Sequence, residues 1–325
     1  MTSELVKEYL QKFPDLPSLT LAKKIYADHW DKFKDVESVR GVIRIYRGSS
    51  GNWNRRGIKD TRFYDQKPVY KYNIPDGDTR AFEPYYLPKA NNNILILGDM
   101  HFPYHNRVAI ETSLDWGVKK GINTILLNGD ILDFYQLSKF IKDPSTRRIK
   151  DEIAMLRLFL EGLKKDLPGV KIYYKMGNHE ERFENYMKVK APELFDISDF
   201  KLDVILHLAE YGVEYIGDKR KVMAGKLPII HGHEIRTSSS VNPARGIYLK
   251  IKKSAIANHY HQSSEHSETN FDGELSTVFS LGCLCDLHPE YAPYNNWNHG
   301  FAHAKINDDG TYRMFNARMY NYVVL

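Results

Sequence analysis

A chain of 325 residues with 42% hydrophobic and 27% charged side chains can bury a full core and suits about two domains. Its composition excludes disordered and fibrous classes, and its two cysteines exclude a disulfide framework. No stretch approaches the roughly 20 apolar residues of a membrane span and no signal pattern opens the chain, so it reads as cytoplasmic, with no membrane partner.

The formal excess of +5 is unevenly placed: residues 1–90 hold 17 Lys+Arg against 12 Asp+Glu, leaving 29 against 29 for residues 91–325. Residues 1–48 read as a small helical domain, with helices over 3–13, 18–33 and 35–46 broken at Pro14 and Pro17. Asp35 or Ser38 can cap the third helix. Val36, Val39, Val42, Ile43 and Tyr46 follow helical spacing, while Arg40, Arg44 and Arg47 fall three and four apart on another face as a basic ridge. Three short helices ending on such a ridge are compatible with a helix-turn-helix-like, DNA-binding domain. They are equally compatible with a packing or oligomerisation module, and the oligomeric state stays open.

Residues 49–91 lose periodicity and read as an irregular linker. Tyr64, Tyr70, Tyr72, Tyr85 and Tyr86 interleave there with Arg55, Arg56, Arg62, Lys67 and Lys71. That mixture suits stacking of unpaired bases, although packing of the tyrosines on a following core is the reading preferred here.

Residues 92–325 form the third and largest region. Its predicted elements are strand 94–97, helix 108–120, strand 124–127, helices 134–141 and 146–167, and strand 170–174. Then come helix 202–211, strands 213–216, 221–224 and 227–230, helix 245–257, and strands 276–281, 300–306 and 312–324. The first half has a parallel α/β rhythm and the tail reads as antiparallel. Cys283 and Cys285 lie at strand spacing in an apolar segment and read as buried free thiols.

Hydrophobic runs in this region end in polar turns. Ile94–Leu97 meets Gly98-Asp99-Met100-His101, the run at 124–127 leads to Gly129-Asp130-Ile131-Leu132-Asp133, and that at 170–174 leads to Gly177-Asn178-His179-Glu180. Ligand sites of open α/β sheets lie outside the carboxyl ends of strands. With His231-Gly232-His233 and His259-Tyr260-His261, these turns offer oxygen and nitrogen donors without thiolates, a set suited to Mn²⁺, Fe or Zn²⁺.

The order D-x-H, G-D-x-x-D, G-N-H-E, H-G-H and H-x-H resembles the calcineurin-like metallophosphoesterase superfamily over about residues 92–325. The opening helices, through Leu21–Tyr26, Val36–Arg40 and Ile43–Gly48, resemble the leader of some phage and bacterial phosphoesterases. The resemblance implies a double β-sandwich flanked by helices, four layers α/β/β/α, with two divalent ions, Mn²⁺ foremost and Fe, Zn²⁺ or Ni²⁺ as substitutes. It further implies that Asp99, His101 and His261 hold one ion, that Asn178, His231 and His259 hold the other, and that Asp130 bridges them.

Two such cations clamp a phosphoryl group and lower the pKa of a bridging water to give a hydroxide nucleophile. His179 is then the candidate general acid, Asp133 its orienting partner, and Arg182 a candidate phosphate holder. Two departures stand out. Asn258 occupies the position where the family's last block carries glycine, and Phe134 follows Asp133 where Ser/Thr protein phosphatases carry arginine, which argues against that activity. The expected function is hydrolysis of a phosphodiester, preferably in nucleic acid, with DNA brought by the basic leader. The alternatives are a phosphatase or phosphodiesterase for a small molecule or nucleotide, and a DNA-binding adaptor with a vestigial metal site.

Overall fold

The computed structural model describes residues 2–13, 16–48, 82–139, 148–237, 241–289 and 292–325. Most of the expected linker, the end of the helix expected over 134–141 and the start of the one expected over 146–167 lie outside them. The chain divides into two compact units, one in residues 1–81 with 308–310 and one in 82–307 with 311–325.

The smaller unit contains α1 (Thr2–Lys12), α2 (Ser18–Asp28) and α3 (Val36–Tyr46). At 11 residues each, these helices are too short to persist alone and depend on what they bury. Val6 and Leu10, Leu21, Ala22 and Ile25, and Val36, Val39 and Ile43 supply that shared core. The Asp35 carboxylate accepts from the Ser38 N–H at 2.7 Å and caps α3. Helix α2 stops at Asp28, short of the expected 33, and a single 3₁₀ turn follows at Trp30–Lys32.

The expected arginine ridge is only partly present. Arg40 lies toward the surface and pairs with Glu37 at 2.9 Å, and Arg44 is partly exposed. Arg47, however, is 4% exposed and donates to Ser18 Oγ at 3.1 Å. At the C-cap of α3 it ties that helix to the start of α2 instead of facing outward.

In chain order the larger unit runs β1 (Tyr85–Tyr86), β2 (Asn93–Leu97), α4 (Arg107–Lys119), β3 (Thr124–Asn128), α5 (Ile149–Asp166), β4 (Lys171–Lys175), α6 (Asn178–Lys190), α7 (Leu202–Ile205), β5 (Val213–Ile216), β6 (Val222–Ala224), β7 (Leu227–Ile230), α8 (Pro243–Ile251), β8 (Ala255–Ala257), β9 (Ser264–Thr269), β10 (Leu275–Ser280), β11 (Gly300–Ile306), β12 (Tyr312–Tyr320) and β13 (Val323–Val324). One sheet has the order β13-β12-β11-β2-β3-β4-β5 and the other β1-β6-β7-β8-β10-β9. Strands β2 to β5 pair in parallel, and β11, β12 and β13 extend that sheet antiparallel.

The central strands are buried on both faces, and their two-residue period sorts side chains between two cores. Leu95, Leu97, Ile125, Leu127, Ile172 and Tyr174 pack with Ile110 of α4 and Leu156, Leu160 and Leu163 of α5. Ile94, Ile96, Leu126 and Tyr173 point the other way, against Val222, Leu227, Ile229 and Ile256 of the second sheet. A further core sets Ile230, Ala257 and Val278 against Ala244, Ile247 and Tyr248 of α8. The result is a four-layer α/β/β/α sandwich.

Four expectations change. The helix expected over 134–141 is a 3₁₀ turn at Tyr135–Leu137, because Phe134 has φ 47° and Ser138 is extended. The helix expected over 202–211 is interrupted by His207 at φ 59°, between α7 and a 3₁₀ turn at Leu208–Tyr211. The helix expected over 245–257 ends at Ile251, where Lys252 turns to φ 53°, and Ala255–Ala257 becomes β8. The second sheet is also mixed, since β8 lies parallel to both β7 and β10.

Candidate metal centre

Five strand ends deliver the polar side chains. Asp99 and His101 follow β2, Asp130 follows β3, and Asn178 opens α6 just after β4. His231 follows β7, and His259 and His261 follow β8. The turns are sharp: Asp99, His101, Asp130, His259 and His261 all have φ between 50° and 76°. Left-handed backbone at non-glycine residues persists only where the surroundings hold it, and such residues cluster at functional sites.

The donors converge around the Asp130 carboxylate. Asp130 Oδ2 lies 3.2 Å from His231 Nε2 and 3.9 Å from His101 Nε2. His261 Nε2 is 3.1 Å from His101 Nε2 and 3.5 Å from Asp99 Oδ1, and Asn178 Oδ1 is 3.2 Å from His231 Nε2. Ligand atoms of Asp130, His231 and His259 lie within 4.8 Å of one another. A cation about 2.0–2.2 Å from its ligands sets neighbouring donors roughly 3–3.5 Å apart, so this spacing fits divalent ions. Asp99 Oδ1 is also buried with no hydrogen-bond partner, the expected state of an oxygen reserved for a cation.

Outer contacts fix which imidazole nitrogen faces inward. His231 Nδ1–H donates to the Asn128 carbonyl at 2.8 Å, and His101 Nδ1–H donates to Asp133 Oδ1 at 3.1 Å, leaving both Nε2 atoms free for a metal. His233, the other histidine of H-G-H, bonds Glu181 Oε1 at 3.0 Å. His299 bonds the Cys285 carbonyl at 2.9 Å.

The strongest organiser is a residue to which sequence reading gave no role. Glu180 is fully buried. Its Oε2 accepts the N–H groups of Asp130 and Gly177, each at 2.9 Å, and its Oε1 accepts those of Ile131 at 2.9 Å and Leu132 at 3.2 Å and the Tyr174 hydroxyl at 2.8 Å. One carboxylate thus clamps the turns after β3 and β4 together. The clamp needs Gly177, because a Cβ there would stand 2.3 Å from Asp130 Oδ1. Glu234 acts similarly on the H-G-H turn: it accepts from His231 N and Gly232 N while paired at 2.6 Å with the buried Lys175.

Asn258, the departure from the family's glycine, is also buried. Its Nδ2 donates to Asp99 Oδ2 at 3.2 Å and its Oδ1 accepts from Asn128 at 2.8 Å. It fills space that Gly98 leaves, since a Cβ on Gly98 would lie 2.6 Å from Asn258 Nδ2.

At the mouth, Asp133 Oδ1 stands 3.2 Å from His179 Nδ1, and the Asp133 carbonyl accepts from that nitrogen at 2.8 Å. His179 Nε2 points toward Asp130 Oδ2 at 3.7 Å. Arg182 donates to the Asp133 carbonyl at 2.8 Å and lies 2.9 Å from His179 Nε2. It therefore sits on the histidine and is not extended into open space.

The charges call for cations. Burial pushes the Asp130 carboxyl up, but the imidazoles of His179, His231 and His101 outweigh it and hold Asp130 well below the usual carboxylate range. Burial depresses His231 and His261, yet Asp130 and Asp99 raise them to about 10 and about 9 respectively. Burial and the neighbouring His231 lower His259 to about 4. Protons on imidazole are balancing carboxylates that a divalent ion would neutralise better.

The profile of the calcineurin-like phosphoesterase family matches residues 93–275, more than half of the chain. Similar solved structures include vacuolar protein sorting 29 from Cryptosporidium parvum, 13% identical, covering 70% of this chain and 97% of that one at a TM-score of 0.33. Another is Yfce, a phosphoesterase from E. coli, 14% identical, covering 69% and 98% at a TM-score of 0.33. At that identity and score neither likeness bears on the chemistry. No curated protein matches the sequence.

Proposed function

Given that the chain belongs to the calcineurin-like phosphoesterase family and is a metal-dependent phosphoester hydrolase, we propose that it cleaves phosphodiesters in nucleic acid with two divalent ions. The observation that carries the two-ion part is the gathering of six oxygen and nitrogen donor residues, from strand ends, around the Asp130 carboxylate. Asp99, His101 and His261 would hold one ion and Asn178, His231 and His259 the other, with Asp130 reaching both. Mn²⁺ suits this donor set, and Fe, Zn²⁺ or Ni²⁺ are substitutes. When bound, the ions supply Lewis acidity to the phosphoryl group and to the attacking water.

The chain's own residues do the rest. Glu180 and Glu234 hold the ligand turns in register. His179 is the acid for the leaving oxygen: burial lowers its pKa, but Asp130 and Asp133 more than compensate and raise it. Proton delivery from Nε2 requires Arg182 to leave that nitrogen, and an incoming phosphate is the natural partner to draw the guanidinium away.

Nucleic acid as substrate rests on the excess of basic residues in residues 1–90, to which Arg40 and Arg44 contribute on α3. Because Arg47 is buried, the ridge is weaker than its spacing suggests, and this favours a small phosphoester as the second reading. Mn²⁺-dependent cleavage of labelled single- and double-stranded DNA, with Asp130→Asn as the blank, separates the two. Cleavage lost in the variant supports the nuclease. A metal-loaded protein that hydrolyses model phosphoesters and leaves DNA intact refutes it.

A further inference from the structure

We propose that the cavity between α4 and α5 is a binding site for a small organic cation with an apolar body, separate from the two-metal centre. The cavity holds about 680 Å³, within the roughly 300–1,000 Å³ usual for small-ligand sites. Phe102, Ile110, Leu114, Phe159 and Leu163 line its apolar interior. Three further lining side chains are exposed at its edge: Val118, Met155 and, at 71% exposure, Leu158. A ligand seated there removes from water an apolar surface that the chain's own fold leaves wet.

The inner end is aromatic. The Phe102 and Phe159 ring centroids lie 5.4 Å apart, and His105 packs on Phe102 at 4.1 Å. Phe102 donates its N–H to the Ile131 carbonyl at 2.7 Å and accepts from the Asp133 N–H at 3.0 Å, so the cavity backs the metal turns without taking a donor side chain from them. Gly162 keeps the space open. It lies inside α5, where glycine is unfavourable, and an added Cβ would meet nothing within 4 Å. Neither a turn nor close packing calls for glycine there; its effect is to leave room.

The charge at the mouth selects the ligand. Of the charged lining residues, Arg107 and Glu111 pair with each other at 2.9 Å. Asp115 and Asp166 pair with no cation among the described residues. Burial lowers the pKa of His105, so this ring is uncharged at neutral pH and does not oppose a cation. Two unpaired carboxylates outside and aromatic rings within suit an ammonium group on an apolar body, and the same body ending in a carboxylate meets repulsion.

The test needs neither metal nor substrate. The metal-free full-length protein is titrated by calorimetry with three probes that share one apolar body: naphthylbutylammonium, naphthylbutanol and naphthylbutyrate. The expected result is saturable binding of one ammonium per chain, with affinity falling from ammonium to alcohol to carboxylate. Gly162→Leu fills the cavity with a better helix former and should weaken the ammonium by about tenfold or more, the equivalent of two displaced CH₂ groups. Leu158→Gln, at an exposed position that folding tolerates, should weaken all three probes. Replacing Asp115 and Asp166 together by asparagine should weaken the ammonium severalfold and leave the alcohol unchanged. No saturable binding, binding undiminished in Gly162→Leu and Leu158→Gln, or an affinity order indifferent to charge overturns the proposal. So does a wild type that sediments as a dimer, binds no probe and is separated by Leu158→Gln, because a second copy then covers the cavity.

Discussion

Replacing Glu180 by glutamine changes one oxygen to an NH₂ group and little else in volume. In the native fold the carboxylate accepts five hydrogen bonds, two at Oε2 and three at Oε1. A glutamine can offer only its single oxygen, so whichever way the amide turns, at least two buried donors face a donor. Each buried donor left without an acceptor costs about 1–3 kcal/mol, so Glu180→Gln should destabilise the larger unit by about 2–6 kcal/mol. That is a large share of the roughly 5–15 kcal/mol typical of folded proteins. The turn carrying Asp130 and the turn before Asn178 should also lose their common anchor, and Mn²⁺ affinity should fall with them. Urea denaturation of the metal-free protein and Mn²⁺ binding by calorimetry measure both. A loss below about 1 kcal/mol with unchanged Mn²⁺ affinity would refute the claim that this carboxylate clamps the site.

His179→Ala should spare Mn²⁺ binding but lower turnover by about 10²–10⁴, most for esters with poor leaving groups; equal losses for good and poor leaving groups would exclude an acid role. Glu152 is buried, and burial together with the charge of Asp133 raises it from 4.5 to about 7. The folded state therefore binds its proton more tightly than the unfolded state. That contribution is complete below pH 4.5 and is lost as pH rises through about 7, to the extent of about 3 kcal/mol. The stability difference between wild type and Glu152→Gln should shift accordingly between pH 4.5 and 7, and a difference flat in pH would contradict the assignment. Asn258→Gly, which restores the family's residue, should destabilise by about 1–3 kcal/mol through the lost bonds to Asp99 and Asn128; thermal denaturation showing no loss would mean that the tether is idle.

The parts of the fold legible in the sequence are those in which local pattern and tertiary role agree. Strands β2 and β3 carry continuous apolar runs because both faces are buried, and each is followed by glycine and a polar donor. The candidate donors were visible for the same reason. Helix α6 was not, because only Glu180 and Met187 are buried among its 13 residues, leaving no apolar stripe to read. Strand β9 is Ser-Glu-His-Ser-Glu-Thr, an edge strand with only Ser264 buried. Arg47 has the spacing of a surface ridge, and its burial against Ser18 depends on how α2 and α3 pack. Glu180 stood in plain view in G-N-H-E, but three of its five donors come from the turn after β3, about 50 residues away, which only folding brings to it.

The central claim is that one carboxylate, Asp130, organises two ions. Mn²⁺ titration into the metal-free protein, followed by calorimetry and by hydrolysis of a model phosphodiester in the same samples, tests it directly. The account predicts two ions per chain, with turnover appearing as the second site fills, and in Asp130→Asn both the paired binding and the turnover should vanish. Full turnover with a single ion bound, or an Asp130→Asn protein that still takes up two ions and hydrolyses the ester, would contradict it.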